Sequence, residues 1–276
     1  MKKKKKKKKA KSNPKENRKK LLLDTSIQIK KITRPSIQKL IERLKSDYDV
    51  NSSFFVLYEF KSGLIRNLIE FYFAVKVYNT IEEAIDYWSD KFQKRELKNK
   101  LLLDAVMVKI NDSINTRNKD EYLAQLETAI FYIISSFKTD IKNMVGNFQN
   151  DEIVKFKITG RDDYDKFLET YSNRKYIPLD KFWTINLKEL DKLLADKSKF
   201  NTEDYEKVYE HLVKIKNDCE NANKIATNKK IGDVVIAVDC PQSYIIVSLD
   251  NFFQILCKIV GKKLFIVGRD GSLLFC

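Results

Sequence analysis

The stretch "YIIVSLDNFFQILCKIVGKKLFIV", residues 244–267, decides the fold class of this chain. It contains two short, continuous apolar runs, "YIIVS" and "KLFIV", which are typical of strands covered on both faces. The segment between them, "NFFQILCKIVG", is predicted to be a helix, and "IGDVVIAVDC" predicts another helix just upstream. Because helices alternate with strands, we expect an α/β fold built on a parallel sheet.

An acid follows each of two predicted strands. Asp250 follows "YIIVS", and Asp24 follows the apolar run "LLL" at residues 21–23. One interpretation is that Asp24 only caps the next helix, as Asp often does. The other is that both acids lie where parallel strands end, at the edge of the sheet where ligand sites gather. The second is favoured because Glu59 and Asp233 lie near the starts of two further predicted helices and can face the same edge.

Four segments, in this order, resemble the acidic motifs of the PIN-domain family of metal-dependent nucleases: "LLLDTS", "SSFFVLYEFKSGL", "KKIGDVVIA" and "IIVSLDNFF". The resemblance covers roughly residues 20–78 and 225–268. It implies a PIN-like parallel sheet flanked by helices. It also implies metal-binding and catalytic roles for four acids, Asp24, Glu59, Asp233 and Asp250. Supporting polar roles fall to Thr25 or Ser26 after the first acid and to Ser248 before the last.

Two features depart from the family pattern. PIN domains are compact, whereas a long and mainly helical stretch separates Glu59 from Asp233 here. Asp239 also lies near Asp233, but six residues along a helix place it on a different face, and "GDVVIA" is the closer fit to the motif. We therefore divide the chain into a disordered lysine-rich tail (1–20), the first half of a PIN-like domain (21–79), a large, mainly α-helical insertion (80–200) and the second half (201–276).

A metal-dependent nuclease is the function that the resemblance implies, with RNA as the family's commoner substrate class. Clustered carboxylates repel one another, so a site of four suits hard divalent cations, Mg²⁺ or Mn²⁺. One or two such ions can activate water for attack on phosphorus. The alternative is a non-catalytic nucleic-acid-binding or protein-interaction module on a PIN-like scaffold. The helical insertion is also a candidate surface for a protein partner.

The positive charge of the chain is concentrated at its N-terminus. Residues 1–20 hold thirteen Lys and Arg against one acid, so they account for most of the net charge of +15 and leave +3 for the rest. Such a block is expected to be disordered and to suit a polyanion, although a purely solubilising tail is an equal alternative. The cations that we expect to contact nucleic acid are Lys2, Lys3, Lys4, Lys5, Lys6, Lys7, Lys8, Lys9, Lys11, Arg18, Lys19 and Lys20.

The remaining composition excludes several chemistries. The four cysteines form no C-x-x-C pair, and His211 is the only histidine, so zinc sites and histidine-based catalysis are disfavoured. Seven glycines supply neither a P-loop nor a dinucleotide-binding motif. No apolar run reaches the roughly 20 residues that span a bilayer, and no secretory signal is present, so we expect a cytoplasmic protein without a membrane span.

Residues 80–200 are predicted to be mainly helical. Apolar residues recur at helical spacing in "IEEAIDYWSDKF" and in "DEYLAQLETAIFYIISSFKTDIKNMVG", whose Gly146 is a candidate C-cap. "DEIVKFKITG", residues 151–160, alternates like a small edge strand. Earlier in the chain, "RPSIQKLIERLKSD" predicts a helix, and Asn51, Ser52 or Ser53 is the candidate N-cap of the helix that carries Glu59.

Overall fold

The computed structural model describes residues 18–93, 118–173, 179–225, 229–268 and 270–276, together with positions 108, 110 and 112. Residues 1–17 are not among the described residues. The predictions that this part of the tail is disordered and binds nucleic acid therefore lie outside the described part of the chain. No helix within the described ranges has the length and hydropathy needed to cross a bilayer.

The described residues form a six-stranded sheet with the order β3-β2-β1-β4-β5-β6. Neighbouring strands pair in parallel, except that β6 is antiparallel to β5. This confirms the predicted α/β class and the mostly parallel sheet. The strands are β1 (Lys19–Leu23), β2 (Tyr48–Ser53), β3 (Asn143–Val145), β4 (Tyr244–Ser248), β5 (Lys263–Val267) and β6 (Leu273–Phe275).

Helices cover the sheet and extend beyond it. A π-helical segment, Phe60–Ile65, joins α3 to α4. The α-helices are α1 (Thr25–Thr33), α2 (Pro35–Asp47), α3 (Phe54–Glu59), α4 (Arg66–Val77), α5 (Ile81–Gln93), α6 (Lys119–Thr139), α7 (Glu152–Lys155), α8 (Tyr164–Ser172), α9 (Leu179–Ile185), α10 (Leu187–Leu194), α11 (Glu203–Asn217), α12 (Asn221–Ile225), α13 (Lys229–Asp239) and α14 (Phe252–Val260).

The apolar strands are buried on both faces, as predicted. Leu21 and Leu23 of β1 pack in a cluster with Ile37 and Leu40 of α2. Leu22, which points to the opposite face, belongs to the larger cluster that also contains the buried residues of α3, α4 and α13. Successive strand side chains alternate between faces, so a strand without polar alternation needs cover on both sides.

Strand β1 lies at the centre of the topology. It pairs with β2 on one side and with β4 on the other, so the strand order reverses between β1 and β4. In open α/β sheets the crevice at such a switch point, beyond the carboxyl ends of the strands, is where ligands bind. Asp24 directly follows β1, and Asp250 follows β4 by two residues. The fold therefore brings both acids to this crevice.

Two local predictions in residues 80–200 are wrong. Helix α6 ends at Thr139, and Gly146, at φ 95°, follows β3 and does not end that helix. The segment 151–160 is not a strand: its start forms α7, because the Asp151 carboxylate accepts hydrogen bonds from the N–H groups of Ile153 and Val154. The edge strand is β3 instead, whose pairing with β2 is a tertiary contact that local pattern does not report.

Two buried lysines, one in α1 and one in the π-helical segment, hydrogen-bond to the ends of α6 and α7. Lys61, in the π-helical segment, donates to the carbonyl oxygens of Ile153, Val154 and Phe156 at 3.0, 2.8 and 2.7 Å. Lys31 of α1 donates to the Phe137 carbonyl at the end of α6, 3.3 Å away. Burial lowers the pKa of each lysine to about 8. Cations at helix C-termini satisfy orphan carbonyls, so both lysines stabilise the packing of α6 and α7 on the sheet domain.

Candidate active site

Asp24 is a helix cap and a link between strands at the same time. Its side chain is buried, and its carboxylate accepts a hydrogen bond from the Ile27 N–H at 2.8 Å, which caps α1. The Ser26 hydroxyl lies 2.9 Å from both carboxylate oxygens. The Ser248 hydroxyl, at the end of β4, donates to Asp24 Oδ2 at 2.6 Å. Asp24 therefore caps α1 and also lies at the end of β1, beside the end of β4.

Burial dominates the electrostatics of Asp24. It raises the pKa of the carboxyl from its ordinary value to about 6, against the lowering effect of the hydrogen bonds from Ser248, Ile27 and Ser26. The nearby Asp250 carboxylate raises this pKa further. Uncharged hydrogen-bond donors and a second carboxylate thus surround Asp24. A cation bound beside it would favour the ionised form of the Asp24 carboxyl.

Asp250 is connected to Asp24 through Ser248. The Asp250 N–H donates to the Ser248 hydroxyl oxygen at 2.9 Å, while that hydroxyl donates onward to Asp24. Asp250 Oδ1 accepts from the Phe252 N–H at 3.0 Å, at the start of α14. Asp250 Oδ2 accepts from the Lys230 ammonium at 2.9 Å. The two acids after the central strands therefore form one hydrogen-bonded unit.

Glu59 approaches this unit from α3. The Thr25 hydroxyl donates to Glu59 Oε2, so the residue after Asp24 positions the second acid. Glu59 Oε1 lies against Gly232 of α13, where a Cβ atom would overlap it, and Asp233 is the next residue. The π-helical segment begins directly after Glu59, and such segments often mark functional sites.

Asp233, and not Asp239, lies on the side of α13 that faces the other acids. The Lys230 ammonium is 3.9 Å from Asp233 Oδ2, and the same ammonium binds Asp250. Asp239, at the far end of α13, accepts hydrogen bonds from the Asn147 N–H and side-chain amide at 3.0 and 2.7 Å. Asp233 and Asp239 therefore contact different neighbours, although both belong to α13.

Neighbouring side chains connect the four predicted acids. Thr25, the residue after Asp24, donates to Glu59, and the Lys230 ammonium lies close to both Asp233 and Asp250. Within the described ranges, no group of three or more Asp, Glu, His or Cys side chains is arranged to hold one metal ion. The donors are carboxylate and hydroxyl oxygens, the ligands that hard divalent cations prefer. The chemistry of the residues therefore fits Mg²⁺ or Mn²⁺.

Lys230 is the site residue that the sequence interpretation missed. It lies one helical turn before Asp233, and this i, i+3 spacing between a lysine and an acid was the available signal. The described cations of the predicted tail lie elsewhere. Arg18, Lys19 and Lys20 are exposed at the amino end of β1, and at about 3.3 Å per residue Lys19 is about 16 Å along the chain from Asp24. Strand β1 also begins at Lys19, inside the range predicted for the tail.

Comparisons of the chain with protein-family models, with curated proteins and with solved structures find no match.

Proposed function

We propose that this protein is a metal-dependent nuclease, with RNA as the substrate class and Mg²⁺ or Mn²⁺ as the cofactor. The observation that carries the proposal is the Asp24–Ser248–Asp250 unit at the switch point of the sheet. The Asp250 carboxylate raises the pKa of Asp24, so the two acids of this unit repel each other. A buried, repulsive arrangement of this kind costs stability, and a bound divalent cation offsets the cost.

Asp24 and Glu59 are the residues that would hold the cation. Ser26 and Ser248 orient the Asp24 carboxylate, and Thr25 orients that of Glu59. When bound, a divalent cation supplies a water of lowered pKa and stabilises charge on a phosphoryl oxygen. The hydroxyls fix the carboxylates before any ligand arrives, which is the preorganisation that phosphodiester chemistry requires.

The basic tail supports a polyanionic substrate. Residues 1–20 hold thirteen Lys and Arg, whereas the remainder of the chain is close to neutral. Lysines attract phosphates whatever the base sequence of the nucleic acid. Such attraction suits a protein that binds long nucleic acid and brings it to a cleft. The choice of RNA over DNA follows from the PIN-domain resemblance of the four acidic motifs.

The test is a cleavage assay on single-stranded RNA, structured RNA and single-stranded DNA, with Mg²⁺, with Mn²⁺ and with a chelator. The proposal expects cleavage of RNA in either metal and loss of cleavage in the chelator. Intact substrate under every metal condition would contradict it. Cleavage that persists in the chelator would contradict the role of the metal.

A second candidate function is a non-catalytic nucleic-acid-binding module. The observation that favours it is the ion pair between Lys230 and Asp250, which neutralises part of the acidic group without a metal. This candidate expects RNA binding that is unchanged by Mg²⁺ and by a chelator. The same assay, read as retained and uncut RNA on a native gel, separates the two candidates.

A further inference from the structure

The Lys230 ammonium lies close to two carboxylates and two aromatic rings of the described residues. It lies 2.9 Å from Asp250 Oδ2 and 3.9 Å from Asp233 Oδ2. It also lies 5.1 Å from the centre of the Phe252 ring and 5.5 Å from that of Tyr205. The lysine side chain is 20% exposed. Four contacts of this kind define a cation site that the chain fills with its own charge.

Three helices contribute to this site, which we call the ammonium site. Lys230 and Asp233 belong to α13, Phe252 opens α14, and Tyr205 lies in the first turns of α11. The Tyr205 and Phe252 rings stack on each other, with centres 4.4 Å apart and an angle of 22°. Ring faces attract cations, and the effect grows as water is excluded. The position of the ammonium is therefore set by tertiary packing and not by a flexible surface contact.

A metal ion at Asp250 would compete with the ammonium for the same carboxylate. Asp250 Oδ2 accepts from Lys230, and Oδ1 accepts from the Phe252 N–H. Two-metal sites place their ions about 4 Å apart and share carboxylates between them. A second divalent ion near Asp233 and Asp250 would have to displace the ammonium or bear its repulsion at close range.

We propose that Lys230 stands in the position of a second metal ion, so that the site binds one divalent cation, on the side of Asp24 and Glu59. This inference rests on the proposed function. The ammonium compensates the charge of Asp233 and Asp250 permanently, whatever the metal concentration. The Lys230 ammonium and one exchangeable divalent cation then take the two positions that two exchangeable ions occupy in a two-metal site.

The experiment counts Mn²⁺ ions on the full chain by electron paramagnetic resonance of free Mn²⁺. The wild type is expected to bind one Mn²⁺ per chain. Lys230→Met removes the ammonium and keeps the apolar stem, and it is expected to bind two. Lys230→Arg keeps the charge and should bind one. The matched control is Lys197→Met, which removes another lysine that lies over a tyrosine ring, 6.0 Å from the centre of Tyr209; it should bind one.

The outcomes separate this inference from the proposed function. Two Mn²⁺ ions on the wild type would overturn the role of Lys230 and leave the metal-dependent nuclease intact. A single ion on a folded Lys230→Met chain would also overturn it. No bound Mn²⁺ on either protein would overturn both proposals. Circular dichroism checks folding of the variants, and a wild-type count of two overturns the inference even where a variant fails to fold.

Discussion

The hydroxyl of Ser248 donates a 2.6 Å hydrogen bond to the carboxylate of Asp24, which is 224 positions earlier in the chain. The bond joins the ends of β1 and β4, the two strands between which the strand order reverses. It is buried, and one partner is an acid whose pKa burial raises to about 6. The contact therefore lies at the switch point of the sheet, where ligands of such sheets bind, and we expect stability to depend on it.

Removal of the Asp24 charge should stabilise the metal-free protein. A folded pKa of about 6, above the ordinary value of 3.8, means that ionisation opposes folding, so this cost appears as the pH rises through 4 to 6 and is complete at pH 8. We expect Asp24→Asn to raise the free energy of unfolding by about 2 kcal/mol at pH 8, and by less at pH 5. Urea denaturation with a chelator present measures both values, and equal gains at the two pH values would contradict the electrostatic origin.

Loss of the Ser248 hydroxyl should destabilise the same unit. Ser248→Ala leaves Asp24 Oδ2 without this donor and the Asp250 N–H without its acceptor. We expect a loss of about 1–3 kcal/mol, the usual cost of unmade buried hydrogen bonds. Thermal and urea unfolding measure it.

The control for this variant is Ser135→Ala. The exposed Ser135 hydroxyl bonds only a carbonyl of its own helix, so its loss should change stability by no more than about 0.5 kcal/mol. Equal effects of the two substitutions would show that Ser248 does not link the strands energetically.

Asp239 should make stability depend on pH away from the site. Burial raises its pKa to about 6, its Oδ2 has no hydrogen-bond partner among the described residues, and this atom lies against Gly146. The folded state therefore binds its proton more tightly than the unfolded state, and the carboxyl costs stability as the pH rises from about 4 to about 6. Relative to the wild type, Asp239→Asn should gain on the order of 2 kcal/mol between pH 4 and pH 7.

The control for this pH series is Asp204→Asn, which removes an exposed acid. Its stability relative to the wild type should change little across the same range. If the difference in stability between Asp239→Asn and the wild type also stays constant across this pH range, Asp239 has the same pKa in the folded and unfolded states.

Deletion of residues 2–17 should weaken binding to long single-stranded RNA. The deletion spares β1, which begins at Lys19, and removes most of the excess positive charge. Each phosphate that loses its cation should reduce the slope of log affinity against log salt by about 0.7. Filter binding across a salt series measures the slope. Parallel salt plots with equal intercepts for the two proteins would support a purely solubilising tail. Cleavage at saturating RNA should survive the deletion because the four acids remain.

Much of the architecture follows from local pattern. The unbroken apolar runs at 21–23, 244–248 and 263–267 are strands, because only strands covered on both faces lack polar alternation. The order of elements then implies the parallel pairing of the central strands. Ser53 caps α3 through the Val56 N–H at 3.0 Å, one of the three residues predicted for this role.

The features that the sequence did not reveal depend on tertiary contacts. Strand β3 is three residues long and is stabilised by pairing with β2, so its own residues carry little signal. Lys61 and Lys31 resemble surface lysines of helices until their carbonyl partners, far away in sequence, are known. The motif "GDVVIA" favoured Asp233 over Asp239, but the neighbours of the two acids, Glu59 beside Gly232 and Asn147 beside Asp239, are seen only in the packing of α13.

The most direct measurement of the central claim is the cleavage rate of single-stranded RNA in saturating Mg²⁺ by Asp24→Asn, Asp250→Asn and Asp239→Asn. The first two remove carboxylates of the Ser248-linked unit. The third is the control, since it removes another buried acid with a pKa of about 6 that contacts Asn147 instead. We predict a loss of about 100-fold or more for each of the first two and a near wild-type rate for the third. Equal rates for all three variants and the wild type would contradict the assignment of the active site.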